Sequence, residues 1–187
     1  MNSRVDLPAR AETVAGTGLP PPDDQGASAP TARDFKDIFR VHPAGVALIT
    51  AATPTGPVGL TASSVASVNP DPPALSFSLT RAGTSAAAIL SARTFVVHLL
   101  DRHDVEIATV YARSGTERFT AGQGWSELAT GEPYLPSARA ALRCRPIRTV
   151  PVGGSELVVG EVLEVHRGRA SSPVVYYARR FHPLGEP

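Results

Sequence analysis

The sequence predicts a mainly β fold, an antiparallel sheet closed on itself and covered by short helices. Three observations lead there. Extended, β-rich runs follow one another at short spacing from Val46 to Arg180. Turn signals separate them, as at Thr53-Pro54-Thr55-Gly56-Pro57 and Val152-Gly153-Gly154. The few helical patterns do not alternate regularly with strands, which disfavours a doubly wound parallel sheet.

Residues 1–32 read as a disordered tail. They carry five prolines and three glycines and no aromatic residue, too little apolar surface to offset the entropy of ordering. The folded domain is expected over residues 33–187. Phe35, Ile38 and Phe39 share one face of a short helix, which Pro43 ends. Val46 to Ala52 and Val58 to Ser64 read as a hairpin, with Val65 to Val68 continuing the second strand around a bend. Asn69 to Pro73 breaks the chain again. Leu75, Phe77 and Leu79 alternate with Ser76, Ser78 and Thr80, a strand with one apolar and one hydroxyl face. Thr84 to Ala92 is an alanine-rich helix with Thr84 or Ser85 as its N-cap. Thr94 to Leu100 is a strand and Asp104 to Ala112 a helix. Ser114 to Leu128 is a long loop bearing Arg118, Phe119 and Trp125. Ala141 to Val150, Leu157 to Arg167 and Val174 to Arg180 complete the strands.

Composition narrows the function. The chain has 187 residues, 18 Lys and Arg against 17 Asp and Glu, and a net charge of +1. It lacks the basic excess of an electrostatic nucleic-acid binder, so no nucleic-acid partner is expected. Its longest apolar run, Ala44 to Ala52, is too short to span a bilayer. Cys144 is the only cysteine, which excludes an intrachain disulfide and a cysteine-based zinc site. With no apolar region after the N-terminus to act as a secretory signal, a cytoplasmic protein is expected.

No phosphate-binding P-loop, nucleophile elbow or H-E-x-x-H motif is present. His98 and His103, with Asp101 and Asp104 between and beside them, read either as a metal cluster or as one core and one solvated histidine. No metal is expected. Gly59-Leu60-Thr61-Ala62-Ser63-Ser64-Val65 is the most informative stretch. Small hydroxyl residues at a strand end let a flat polar heterocycle approach the backbone and find hydrogen bonds there. Arg81-Ala82-Gly83-Thr84-Ser85 joins a strand to a helix N-terminus, where outward N–H groups and the dipole suit a phosphate.

The order of these segments resembles the flavin reductase family of the split β-barrel fold. The resemblance covers about residues 33–184. It is carried by Phe39 with Pro43-Ala44-Gly45-Val46, by Gly59 to Val65 with Asp71-Pro72-Pro73, and by Thr94 to Leu100. Further carriers are Glu117 to Gly122 with Trp125, Leu142-Arg143-Cys144, Val159-Gly160-Glu161-Val162, and Pro173 to Phe181. It implies an FMN-binding, Greek-key antiparallel barrel with short covering helices, and a flavin held in a groove at a homodimer interface. By that resemblance Thr61, Ala62, Ser63, Ser64, Val65, Ser67 and Val68 line the flavin ring and its ribityl chain. Ala82, Gly83, Thr84 and Ser85 form the phosphate loop, and Ser114, Gly115, Arg118 and Phe119 close over the flavin. Tyr176, Tyr177, Ala178 and Arg179 meet the nicotinamide.

The activity it implies is an NAD(P)H:flavin oxidoreductase. Hydride passes from NADH or NADPH to FMN, with FAD as the alternative, and reduced flavin supplies a partner monooxygenase. The two cofactors carry that chemistry, so no catalytic residue is assigned. The alternatives are a barrel that retains its flavin to reduce a dedicated substrate, and a non-catalytic flavin carrier. Two positions depart from the family pattern. His98 stands where asparagine is usual, and Ser155 where many members have a histidine.

Overall fold

The structure, a computed structural model, describes residues 29–169 and 172–185. The expectation of a disordered tail falls largely on residues 1–28, outside the described residues. Of the remainder, Thr31 already serves the fold. It N-caps helix α1 (Ala32–Arg40) in a reciprocal capping box with Asp34. Among the described residues the apolar side chains of α1, Phe35, Ile38 and Phe39, stay exposed.

Twelve strands follow among the described residues: β1 (Ala44–Gly45), β2 (Ala47–Thr53), β3 (Gly56–Ala62), β4 (Ala66–Pro70), β5 (Pro73–Thr80), β6 (Phe95–Leu99), β7 (Ser126–Glu127), β8 (Pro133–Tyr134), β9 (Ala140–Val152), β10 (Ser155–Arg167), β11 (Val174–Tyr177) and β12 (Arg180–Pro183). Helix α2 (Thr84–Ser91) links β5 to β6, and α3 (Val105–Ala112) follows β6 after one 3₁₀ turn. Seven strands form the main sheet in the order β3-β2-β6-β9-β10-β5-β4, every pairing antiparallel.

That order forces closure. Strands β3 and β4 are the two edges of the sheet, yet only Ser63, Ser64 and Val65 join them. In a flat sheet of seven strands the edges would lie about 29 Å apart. A three-residue link reaches at most about 14 Å. The sheet therefore rolls into a barrel and leaves a seam between β3 and β5. Ser64 bridges the seam: its hydroxyl donates to the Ser78 carbonyl at 3.2 Å and accepts the Ser78 N–H at 3.0 Å.

Two apolar clusters hold the barrel. Ile49, Phe77, Phe95, Val97, Cys144 and Val158 fill its interior. Gly160 is required there, because a Cβ would stand 2.7 Å from Phe95 Cζ. Leu48, Leu100, Ala108, Tyr111, Leu135 and Val174 pack between the sheet and α3. Strand β2 is buried on both faces, which accounts for its nearly continuous apolar run.

Two expectations need correction. The strand expected over Val174–Arg180 is a hairpin, β11 and β12, turning at Ala178 and Arg179. Both turn residues have positive φ, 48° and 63°, as a two-residue hairpin of this hand requires. Alanine and arginine rarely adopt that conformation, so the sequence carries no turn signal. The segment from Val65 to Val68 does not extend β3. It crosses the seam and starts β4 on the opposite edge. The breaker Asn69–Pro73 is the tight turn between β4 and β5, with Pro70 and Pro73 paired across it.

His98 belongs to the outer cluster and is fully buried. Nδ1 lies 3.1 Å from the Leu48 carbonyl oxygen, and Nε2 accepts the Leu135 N–H at 3.2 Å. A carbonyl can only accept, so Nδ1 carries the proton and the ring is neutral. Burial, with a smaller push from His166, lowers its pKa to about 4 against the Leu48 bond.

The unfolded chain regains the ordinary His98 pKa of 6.5 and takes up a proton that the folded chain refuses until about pH 4. Stability contributed by neutral His98 is complete above that window and is lost as pH falls through it, at about 1.4 kcal/mol per pH unit. Urea unfolding of wild type between pH 7 and 5 will show this slope, and His98→Asn will lose it. In the hairpin, Ala178→Gly removes a left-handed alanine and is expected to raise stability by about 0.5–1 kcal/mol, read as a higher urea midpoint at constant slope.

Candidate functional site

The barrel seam opens into a cleft of about 810 Å³. One wall is the end of β3, with Thr61, Ala62, Ser63 and Ser64. A second is the end of β5 and the turn into α2, with Ser78, Thr80, Ala82, Gly83, Thr84 and Ser85. The third is the end of α3 and the loop after it, with Tyr111, Arg113, Ser114, Gly115 and Arg118. Three segments expected at the site thus meet in one place, although residues 65–81 separate the first two along the chain and residues 86–113 the second and third.

Four expected residues lie off these walls. Val65 packs on the barrel interior. Ser67 and Val68 sit on the exposed edge strand β4, at its bulge. Phe119 packs on Tyr111 and Trp125 behind the cleft, with φ 58°. Tyr111, Arg113, Ser78 and Thr80 line the cleft without having been expected there. The hydroxyl face of β5 was visible as a pattern, but only the closed barrel brings it opposite Thr61.

The N-cap of α2 is Gly83, not Thr84 or Ser85, and no side chain caps the helix. Its first N–H groups therefore open toward the cleft with the positive end of the helix dipole. Arg81, the charged residue of that segment, is drawn away to Glu156 and the Gly153 carbonyl. Arg118 takes the place by the helix. It donates to the Gly59 carbonyl at 2.8 Å, to Ser85 Oγ at 3.2 Å and to the Arg113 carbonyl, and its guanidinium lies 5.3 Å from the centre of the Tyr111 ring. One side chain thus ties all three walls together. Its buried Nε has no partner, and no carboxylate among the described residues neutralises its charge.

Behind Arg118 stands a packed aromatic group. Tyr111 donates to Gln123 at 3.3 Å and accepts the Phe119 N–H at 2.8 Å, and burial pushes its pKa up to about 12. Gly59 leaves room for this ring, since a Cβ there would stand 2.9 Å from Tyr111 Cε1. Trp125 donates to Gln123 and packs on Phe119, so it braces the loop.

The hydroxyl groups divide into committed and free. Thr61 donates to the Ala108 carbonyl at 2.7 Å but keeps its lone pairs. Ser64 is consumed by the seam. Ser63, Thr80, Thr84 and Ser114 make no side-chain hydrogen bond among the described residues. The cleft therefore offers backbone donors and one fixed cation at one end, and free hydroxyls along its length. That suits a flat polar ring carrying an anionic tail.

A second pocket of about 530 Å³ adjoins the cleft and shares Thr61, Ser63, Ala112 and Arg113 with it. Tyr176 and Arg179 line it, together with Arg180 and Phe181 from β12. Tyr177 and Ala178 do not: Tyr177 is exposed against His182, and Ala178 forms the hairpin turn. His98 is remote from both openings, in the outer core. Ser155 is the cross-strand neighbour of Thr80 at the rim of the cleft.

Residues 39–185 match the sequence model of the flavin reductase like domain. An NADH:FMN oxidoreductase of Rhodococcus erythropolis is 37% identical over 162 residues, which is 83% of this chain and 84% of that one. The crystal structure of a flavin reductase domain protein from Arthrobacter sp. FB24 aligns with a TM-score of 0.78 at 30% identity, covering 84% of this chain and 98% of that one. BorF, the flavin reductase component of a bacterial two-component tryptophan halogenase, aligns with a TM-score of 0.76 at 25% identity, covering 84% of this chain and all of that one. The shared region takes in the closed sheet, the cleft at its seam and the terminal hairpin, and the chain belongs to the flavin reductase like domain family.

Proposed function

We propose that the chain is an NAD(P)H-dependent flavin reductase that acts on FMN, accepts FAD as the alternative, and supplies reduced flavin to a partner monooxygenase. The observation that carries this reading is the joined pair of openings. A hydroxyl-lined cleft with an uncapped helix N-terminus runs into a second pocket along Thr61 and Ser63. The names of the Rhodococcus protein and of BorF support FMN, NADH and the two-component arrangement.

The flavin, when bound, supplies the ring that accepts hydride from the nicotinamide. The protein's share is binding and orientation. Backbone N–H groups at Thr84 and Ser85 hold the phosphate, and Arg118 neutralises it. Ser63, Thr80 and the remaining lone pairs of Thr61 hold the ring and ribityl chain. Tyr176 and Arg179, across Thr61 and Ser63, face the second substrate. The free hydroxyls are neutral, so they orient a ligand without the tight grip of buried charge, which fits a flavin that must leave.

The site is completed in a homodimer. The outward face of the barrel next to Ser78 and Thr80 exposes Leu157, Val150 and Val152 in register with them. Val68, the bulge residue of β4, adds to the apolar surface beside it. Sedimentation is expected to give twice the 19.6 kDa chain mass.

Anaerobic stopped-flow mixing of protein and FMN with NADH or NADPH tests the activity through bleaching of the flavin band. Reduction well above a protein-free control is expected; binding of FMN without bleaching by either donor overturns the reductase reading and leaves a flavin carrier. Arg118→Met is expected to weaken FMN about 10- to 100-fold, the worth of a charged hydrogen-bond donor, read as flavin fluorescence quenching on titration.

A further inference from the structure

The second pocket carries a charge arrangement that overlaps the flavin cleft only at Arg113. Arg113, Arg179 and Arg180 all line it, and no aspartate or glutamate does. None of the three side chains makes a hydrogen bond or ion pair among the described residues. Three guanidinium groups line this pocket of about 530 Å³ with no carboxylate beside them, a setting that attracts an anion. The chain also accepts a left-handed backbone at Arg179, with φ 63°, to present one of them. Each guanidinium offers the planar fork of donors that matches a phosphate. The remaining polar lining is the hydroxyl groups of Thr61, Ser63, Thr109 and Tyr176.

We propose that this pocket takes the phosphates of the nicotinamide dinucleotide and prefers the 2′-phosphorylated form over the unphosphorylated one. The inference rests on the reductase reading above. In doubly wound dinucleotide-binding folds a carboxylate on the 2′-hydroxyl selects the unphosphorylated ribose and an arginine accommodates the 2′-phosphate; the same electrostatics holds for any fold. This pocket has arginines and no carboxylate. Its contact with the cleft through Thr61 and Ser63 lets a dinucleotide reach the flavin ring while its phosphates stay among the arginines. Arg179 and Arg180 are absent from the cleft wall, so their loss should spare the flavin.

Calorimetric titration with adenosine 2′,5′-bisphosphate and adenosine 5′-monophosphate tests the pocket without requiring turnover. The bisphosphate is expected to bind at least about tenfold more tightly. That advantage should largely vanish in Arg179→Ala/Arg180→Ala and survive in part in Arg179→Lys/Arg180→Lys, with the FMN affinity of both variants within about twofold of wild type. In steady-state assays the kcat/KM for NADPH should exceed that for NADH, and the alanine variant should lose that preference mainly through KM. Equal binding of the two nucleotides, a marked preference for NADH, or loss of FMN binding in the alanine variant overturns the proposal. Failure of both donors to reduce flavin would instead overturn the reductase reading, and the calorimetry would still report on the pocket.

Discussion

The two hydrogen bonds between Ser64 and the backbone of Ser78 sit where the whole barrel is decided. A three-residue link cannot join the two edges of a seven-stranded sheet unless the sheet rolls up. Once it rolls, the end of β3 faces the end of β5, and the apolar faces of β2, β5, β6 and β10 turn inward around Phe77 and Phe95. The seam is only partly sealed. The opening that remains is the cleft, so the constraint that closes the fold also makes the site.

Inside, polar groups are paired. His98 uses both ring nitrogens, and Thr50 donates to the Pro133 carbonyl at 2.9 Å. Burial by itself would raise the pKa of Glu132. Hydrogen bonds from Thr130, Thr94 and Arg143 outweigh it and hold the carboxyl below its ordinary value. The openings follow the opposite rule. There the helix N-terminus lacks a side-chain cap, Arg118 has no counterion, several hydroxyls are free, and three arginines share one pocket. Several unpaired polar groups thus gather at the openings, where a ligand can pair them; among the described residues His166 Nε2 is the other buried side-chain atom without a hydrogen bond.

Rigidity is distributed to match. Tyr111, Phe119 and Trp125 form a packed aromatic brace behind Arg118, fixed further by Gln123. The guanidinium is therefore held in place before any anion arrives, which lowers the ordering cost of binding. The arginines of the terminal hairpin are less constrained. They stand at an exposed two-residue turn whose backbone is held by the Ala178 N–H on the Arg40 carbonyl at 2.9 Å.

Periodicity and turn residues alone determined that the protein is mainly β and where β2, β3, β5, β6, β9 and β10 run, and they marked a hydroxyl-rich strand and a helix N-terminus as the candidate site. The segment order carried the family. These are local properties, written in the alternation of Leu75, Phe77 and Leu79 with Ser76, Ser78 and Thr80 and in the alanine run of α2. Tertiary structure decided the rest, because it depends on which distant groups meet. Arg118 and not Arg81 stands at the helix N-terminus, since Glu156 and the Gly153 carbonyl compete for Arg81. Val65 turns into the core because the chain crosses a seam there. The last strand folds back at Ala178 and Arg179 although neither residue favours a turn, and only that reversal brings Arg179 and Arg180 beside Arg113. Sequence patterns record what each segment prefers; the convergence of charges in a pocket is fixed by closure of the sheet.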